Sequence, residues 1–302
     1  MGKSKLLILV GPTAIGKTDL SIKIAEHFNA EIISGDSMQV YRGMDVGTGK
    51  ITIDEMNGIP HHLIDIKDPD ETFSVSDFQT MVVNLVKDIE SRGKVPFIVG
   101  GTGHYIKALI DGYKFNEEEK EDIDKFTQYY QQFTTENLFK MLSEMVQDVD
   151  IHPNNRQRII RRLVKENLTT TEKKAYTQEE KYDTFIIGLT TQRSVIYDRI
   201  NLRVEKMFLA GLENEVRGLY DKGMSKTASQ AIGYKEFLPY FKGEASISEV
   251  MERVQAHSRQ YAKRQLTYFR NQLEIHWYDI AQTNTDIIYN DIYQFLQTKG
   301  EN

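Results

Sequence analysis

The chain has 302 residues, 40% hydrophobic and 27% charged, an ordinary globular composition that excludes a disordered, collagenous or disulfide-stapled protein. It contains no cysteine, so disulfides, thiolate zinc sites and cysteine nucleophiles are excluded. Lys and Arg number 38 against 44 Asp and Glu, a net charge of −6 that, taken as a total, argues against a nucleic-acid partner. In chain order, Leu6 to Val10 reads as a buried parallel strand, followed by a glycine turn and a helix over about 17–28. Residues 30–34 read as a second strand and 62–66 as a third. Residues 76–92 have helical spacing, with Ser76 as the expected N-cap and Gly93 as the stop. Val95 to Val99 is another apolar strand, running into Gly100-Gly101-Thr102-Gly103 and a further helix. Strands alternating with helices imply a parallel sheet covered on both faces. That pattern stops near Gly112. Residues 113–182 read as an all-helical insertion, after which the sheet pattern returns at 184–190. Long helices follow at about 193–222 and 247–270, with a last strand at 274–280. The longest apolar runs are strand-sized, so no membrane span is expected, and the strand-like opening makes a cytoplasmic location the expectation.

Resolved along the chain, the charge reads differently. Residues 113–150 hold four Lys and ten acids and so account for the whole net charge. Residues 151–165 carry Arg156, Arg158, Arg161, Arg162 and Lys165 with no acid. Residues 253–270 carry Arg253, Arg259, Lys263, Arg264 and Arg270, again with no acid. In a helix Arg158, Arg161 and Arg162 share one face, which suits the phosphates of a folded RNA. The run from Lys263 to Arg270 mixes cations with aromatics, a composition that fits phosphate contact and base stacking, or amphipathic packing.

Gly11-Pro12-Thr13-Ala14-Ile15-Gly16-Lys17-Thr18 fits G-x-x-x-x-G-K-[ST] directly between a strand and a helix. Glycines let backbone amides approach phosphate oxygens, and the helix N-terminus adds a favourable dipole. Lys17 supplies a positive charge, and the Thr18 hydroxyl is a candidate Mg²⁺ ligand. Nucleotide hydrolases and kinases usually end a second apolar strand in an Asp that holds the metal shell. Here the strand at 95–99 ends in glycines instead, which weakens that reading. Asp36 follows the second strand and is expected on the ligand edge of the sheet, facing the phosphate loop, as a metal-shell ligand, a general base or a turn residue.

With these motifs in place, the sequence resembles a known family. The phosphate loop, Asp36-Ser37-Met38-Gln39-Val40-Tyr41-Arg42-Gly43-Met44-Asp45-Val46-Gly47-Thr48-Gly49-Lys50, His61-His62-Leu63-Ile64-Asp65 and Val99 to Tyr105 look like tRNA dimethylallyltransferases, the IPP transferase family. So do Gln157-Arg158-Ile159-Ile160-Arg161, Gln230-Ala231-Ile232-Gly233-Tyr234 and Lys263 to Arg270. The resemblance implies a P-loop NTPase-like core (1–112 and 183–302) and an inserted helical domain (113–182) that contacts the tRNA anticodon stem. It implies transfer of a dimethylallyl group from dimethylallyl diphosphate to the N6 amine of the adenosine 3′ of the anticodon. In that reading Asp36 is the base, and Lys17, Thr18 through Mg²⁺ and the amides from Thr13 to Lys17 hold the diphosphate. An arginine, Arg203 in preference to Arg199, assists its departure. Ser37, Met38, Gln39 and Thr102 meet the flipped nucleotide, while Gly100, Gly101 and Gly103 let it approach. Gln157, Arg158, Ile159, Ile160, Arg161, Lys263, Arg264 and Arg270 complete the tRNA contacts. A monomer is expected. A small-molecule kinase, an adenylate isopentenyltransferase and a non-catalytic RNA-binding NTPase module are the competing readings. The aromatic residues of the insertion, Phe126, Tyr129, Tyr130, Phe133 and Phe139, are expected to form a small core. The adjacent His61 and His62 lack a third ligand at metal spacing, so no zinc site is expected there.

Overall fold

The computed structural model describes residues 3–112, 117–170 and 182–298. Two compact units emerge: Met1–Asp111 with Glu180–Asn302, and Gly112–Glu179. The first is built on β1 (Ser4–Val10), β2 (Ala30–Ser34), β3 (His61–His62), β4 (Val95–Gly100), β5 (Tyr182–Thr190) and β6 (His276–Asp279). All pair in parallel, in the order β3-β2-β4-β1-β5-β6. Its helices are α1 (Lys17–Phe28), α2 (Val75–Ser91) and α3 (Gly103–Ile110), then α7 (Arg193–Leu209), α8 (Leu212–Lys222) and α9 (Lys226–Ser229), and finally α10 (Leu238–Phe241), α11 (Ile247–Gln272) and α12 (Thr285–Gln297). The other unit holds α4 (Glu117–Gln131), α5 (Thr135–Met145) and α6 (Arg156–Thr170). Among the described residues no helix is long and apolar enough to cross a membrane.

The period-two geometry of a strand explains why β1 is apolar throughout. Leu7 and Leu9 point into a core shared with Ile24, Ile196, Ile200 and Ile292, from α1, α7 and α12. Leu6, Ile8 and Val10 point the other way, against Phe78, Val82, Ile106, Val250 and Phe269, from α2, α3 and α11. With β4 between β1 and β2, the loops after all three strands open at one edge of the sheet.

Three sequence expectations are corrected. The N-cap of α2 is Ser74, not Ser76: its side chain accepts from Asp77 N, and Asp77 returns a bond to the Ser74 amide. The third strand stops at His62, because Leu63 and Asp65 take left-handed φ values of 62° and 54°. The helix expected over 193–222 is two helices broken at Gly211, whose φ is 95°. In the helical unit, Tyr130, Leu138, Leu142, Ile159, Ile160, Leu163 and Val164 form a core. Phe126, Phe133 and Phe139 pack against it, whereas Tyr129 stays about half exposed.

Candidate active site

The loop 11–18 leaves the carboxyl end of β1 and enters α1, with Ala14 in a left-handed conformation (φ 63°). Lys17 folds back so that Nζ lies 3.0 Å from Gly11 O and 2.9 Å from Pro12 O. Burial, and then the nearby Arg203 charge, pull the Lys17 ammonium down to about 8, with Asp36 opposing. The loop lines a cleft of about 560 Å³ together with Asp36, Arg199 and Arg203. Among the described residues no protein group accepts from the amides of Ala14, Ile15, Gly16 or Lys17, and these remain as anion donors. The Thr13 amide does not: it donates to Gln265 Oε1 at 3.0 Å, so the set of phosphate-facing amides expected from the sequence begins one residue later.

Both candidate arginines reach this cleft, one helical turn apart on α7. Arg203 donates to Thr13 Oγ1 (2.8 Å) and Thr48 O (2.9 Å). Burial lowers its pKa and Asp36 opposes, but a guanidinium stays charged. Arg199 is more exposed and donates to Ile15 O at 3.2 Å.

Asp36 lies just past β2. Its Oδ1 accepts from the Met38 and Gln39 amides at 2.8 and 3.3 Å, the local turn such a residue favours. Among the described residues nothing hydrogen-bonds Oδ2, which is left for chemistry. Asp36 also lines a second cavity, of about 310 Å³, with Ser37, Met38, Gln230, Ile232, Lys235, Ser258 and Arg264. Thr13, Thr48, Arg203 and Tyr261 line it too, and Ile200, Val204, Met207 and Val254, from α7 and α11, add an apolar wall. Gln39 lines the phosphate-loop cleft instead, with its amide toward the Thr48 and Gly49 carbonyls.

The glycine turn after β4 is packed tightly against its neighbours. A Cβ on Gly100 would lie 2.4 Å from the Gly35 backbone, one on Gly101 2.3 Å from Gln265 Nε2, and one on Gly103 2.5 Å from the Tyr268 ring. The protein's own packing therefore excludes a side chain at these positions, while Gly100 and Gly101 still line the phosphate-loop cleft. Thr102 precedes α3 but makes no capping bond; its Oγ1 instead accepts from the Ser37 amide at 3.1 Å. That bond ties the turns after β2 and β4 together.

Several residues that hold the site were not singled out by sequence reasoning. The Glu215 carboxylate receives the amides of Asp45, Val46 and Gly47 and the Tyr234 hydroxyl, all within 3.0 Å. It thereby fixes the loop whose Thr48 carbonyl holds Arg203. Lys50, its side chain almost fully buried, donates to Tyr41 O and pairs with Asp45 and with Asp65, the last residue of the His-His-Leu-Ile-Asp segment. The nearly buried Gln265 spans from Thr13 N to Gly101 O (2.9 Å) and so binds the phosphate loop to the glycine turn. No local pattern marks Glu215, because the amides it holds are some 170 residues away; Gln265 was visible only as part of a basic run.

That run is divided by its helix. Arg264 lines the second cavity, with its guanidinium 5.7 Å from the Tyr261 ring centroid. Lys263 and Arg270 lie on another face of α11, in a groove with Arg193, Tyr197 and Leu266. In the helical unit Gln157, Arg158 and Arg161 are exposed. Arg162 pairs with Glu166, and Arg156 is spent on the Phe133 and Gln131 carbonyls. Ile159 and Ile160 are corrected as RNA contacts, since their side chains are buried in the core of that unit.

A parallel α/β core with a glycine loop of unbonded amides after its central strand, and a carboxylate lining both that cleft and a second cavity, has the form of an enzyme that brings two reactants together. The IPP transferase family model matches residues 39–272. A tRNA dimethylallyltransferase from Macrococcus caseolyticus is 48% identical over 299 residues, covering 97% of this chain and 96% of the relative. One from Bacillus cytotoxicus is 45% identical, covering 99% and 98%. The crystal structure of tRNA delta(2)-isopentenylpyrophosphate transferase from Staphylococcus epidermidis superposes with a TM-score of 0.73 at 43% identity, covering 97% of this chain and 99% of that one. A eukaryotic dimethylallyltransferase acting on tRNA gives 0.75 at 28% identity, covering 96% and 80%. The chain belongs to the IPP transferase family.

Proposed function

We propose that this protein transfers a dimethylallyl group from dimethylallyl diphosphate to the N6 amine of the adenosine next to the anticodon in tRNA, acting in the cytoplasm as a monomer. The observation that carries this is the position of Asp36 on the wall shared by the phosphate-loop cleft and the second cavity. The diphosphate binds the amides from Ala14 to Lys17, with Lys17 and Arg203 supplying charge where the leaving group gains it. The adenosine reaches the same point from the second cavity, flipped out of its stack. Its N6 lone pair forms the new C–N bond, the C–O bond electrons leave with diphosphate, and the N6 proton passes to Asp36 Oδ2. Water has no part in the step, which is why no hydrolase-type acid is needed after β4.

The donor set suits Mg²⁺: the exposed Thr18 hydroxyl lines the cleft, with the Asp19 and Glu55 carboxylates nearby, and such an ion takes its other ligands from phosphate and water. Thr18 would hold it, and when bound it supplies further neutralisation of the leaving diphosphate. In the helical unit the exposed Arg158 and Arg161 contact phosphates of the anticodon stem.

Incubation with dimethylallyl diphosphate, Mg²⁺ and unmodified tRNA, followed by digestion and mass spectrometry, is expected to yield prenylated adenosine. Phosphate release from ATP without that product would favour a kinase instead. Two variants extend the test. Arg158→Glu with Arg161→Glu is expected to weaken tRNA binding and to lower the log K against log salt slope by roughly two; an unchanged slope would mean that this face is merely solvated. The protonated form of Lys17 binds the diphosphate, and its pKa in the free enzyme is about 8. The kcat/KM for dimethylallyl diphosphate is therefore expected to fall as pH rises through about 8, and Lys17→Arg to remove that alkaline limb.

A further inference from the structure

Five residues line both cavities: Thr13, Asp36, Thr48, Arg203 and Tyr261. Four have roles already. Asp36 takes the proton, Arg203 faces the diphosphate, and Thr13 and Thr48 hold Arg203. Tyr261 has none, and it is the one aromatic side chain of the five. The carbon being transferred must cross this point, because its old bond lies in the phosphate-loop cleft and its new one is made beside Asp36.

Tyr261 is part-buried beside Thr102 and Gln265, two residues that tie the surrounding loops together. Its ring is the aromatic surface available where the two cavities meet. That ring already attracts a cation, since the Arg264 guanidinium lies 5.7 Å from its centroid. As the allylic C–O bond breaks, positive charge grows on the dimethylallyl carbons. Of the other groups at the crossing, Arg203 opposes that charge and Asp36 is committed to the amine.

We propose that Tyr261 is a further catalytic residue, whose aromatic ring stabilises the allylic cation as the dimethylallyl group crosses between the two cavities. This rests on the prenyl-transfer reading above. No new bond is involved: the carbon–oxygen electron pair still leaves with diphosphate and the amine proton still goes to Asp36.

The test measures single-turnover prenylation of tRNA by the full chain with Tyr261→Phe, Tyr261→Leu and a series of fluorinated phenylalanines at position 261. Because a desolvated cation–π contact is worth about a 30-fold change in rate, Tyr261→Leu is expected to lose about that much in kcat. Its KM for dimethylallyl diphosphate and its tRNA Kd should stay near those of the unaltered protein. Tyr261→Phe should remain within roughly threefold, an effect below 1 kcal/mol. The fluorinated series keeps the shape of the ring, so a stepwise fall in rate with each fluorine reports ring electronics and not misfolding.

Three results would overturn the proposal. Tyr261→Leu could turn over as fast as Tyr261→Phe. Tyr261→Phe could be as slow as Tyr261→Leu, which would place the effect in the hydroxyl. The loss could instead fall wholly on tRNA Kd, which would make the ring a stacking platform. If the unaltered protein forms no prenylated adenosine, the prenyl-transfer reading itself fails; if it does and the variants behave in any of those three ways, only the role of Tyr261 falls.

Discussion

Asp36→Asn is expected to lower kcat for tRNA prenylation by about 10²–10⁴, the usual worth of a positioned general base. It should leave tRNA affinity within a few-fold of the unaltered protein. The substitution is chosen for what it preserves. The asparagine carbonyl still accepts from the Met38 and Gln39 amides, so the turn that places Ser37 and Met38 at the second cavity stays intact. What disappears is the carboxylate charge and the unbonded Oδ2 of a residue that lines both cavities. Asp36→Ala also removes the turn bonds and leaves two amides without acceptors, and should cost a further 1–3 kcal/mol or so in stability if they stay dry. Comparing the two by single-turnover kinetics and thermal unfolding separates the base from the turn. A near-normal rate for Asp36→Asn would remove Asp36 from the chemistry.

Gly100→Ala is expected to destabilise the catalytic unit by about 3 kcal/mol, towards the upper end of ordinary overpacking costs. An added Cβ would meet Gly35 carbon and oxygen atoms at 2.4 Å, and these are backbone. Gly35 is held by its own bond to Val99 O at 2.8 Å, and its carbonyl receives the Thr102 amide. The collision can be relieved only by parting β2 from β4, and that moves Asp36 and Thr102 together. The melting temperature should drop by roughly 6–12 °C, and activity should fall with it. Gly101→Ala is the control. Its Cβ would meet the amide end of the Gln265 side chain, which can rotate away at the expense of its bonds to Thr13 and Gly101. It should therefore be better tolerated in stability than Gly100→Ala. Equal melting temperatures for the two variants would show that the β2–β4 contact is looser than the geometry implies.

These two positions show how unevenly a site can be read from its sequence. Asp36 was visible as a carboxylate two residues beyond a strand, because the carboxyl edge of a parallel sheet is where ligands bind. Its double duty was not visible, since Oδ1 and Oδ2 are alike until the backbone turns around one of them. The glycines were conspicuous, but their neighbours inside the protein were not visible. In the fold their missing side chains make room for Gly35, Gln265 and Tyr268. Glu215, which organises the Arg203 loop from some 170 residues away, follows no local pattern at all. Ile159 and Ile160 sat inside a motif, yet the 3.6-residue helical period turns them inward and Arg158 and Arg161 outward.

The division follows from the range of the forces concerned. The amino-acid sequence by itself determined the parallel α/β core, the phosphate loop and the acid beyond the second strand, because strand period, helix period and turn chemistry act over a few residues. It also determined where the charge lies. The total of −6 belongs to residues 113–150, and the two acid-free basic segments stand outside it. Only the tertiary structure decided which phosphate-loop amides stay unbonded, which arginines meet the cleft, and that Lys263 and Arg270 take a different face of α11 from Arg264. Those outcomes depend on contacts between residues up to some 250 positions apart, and packing selects them after the local elements have formed.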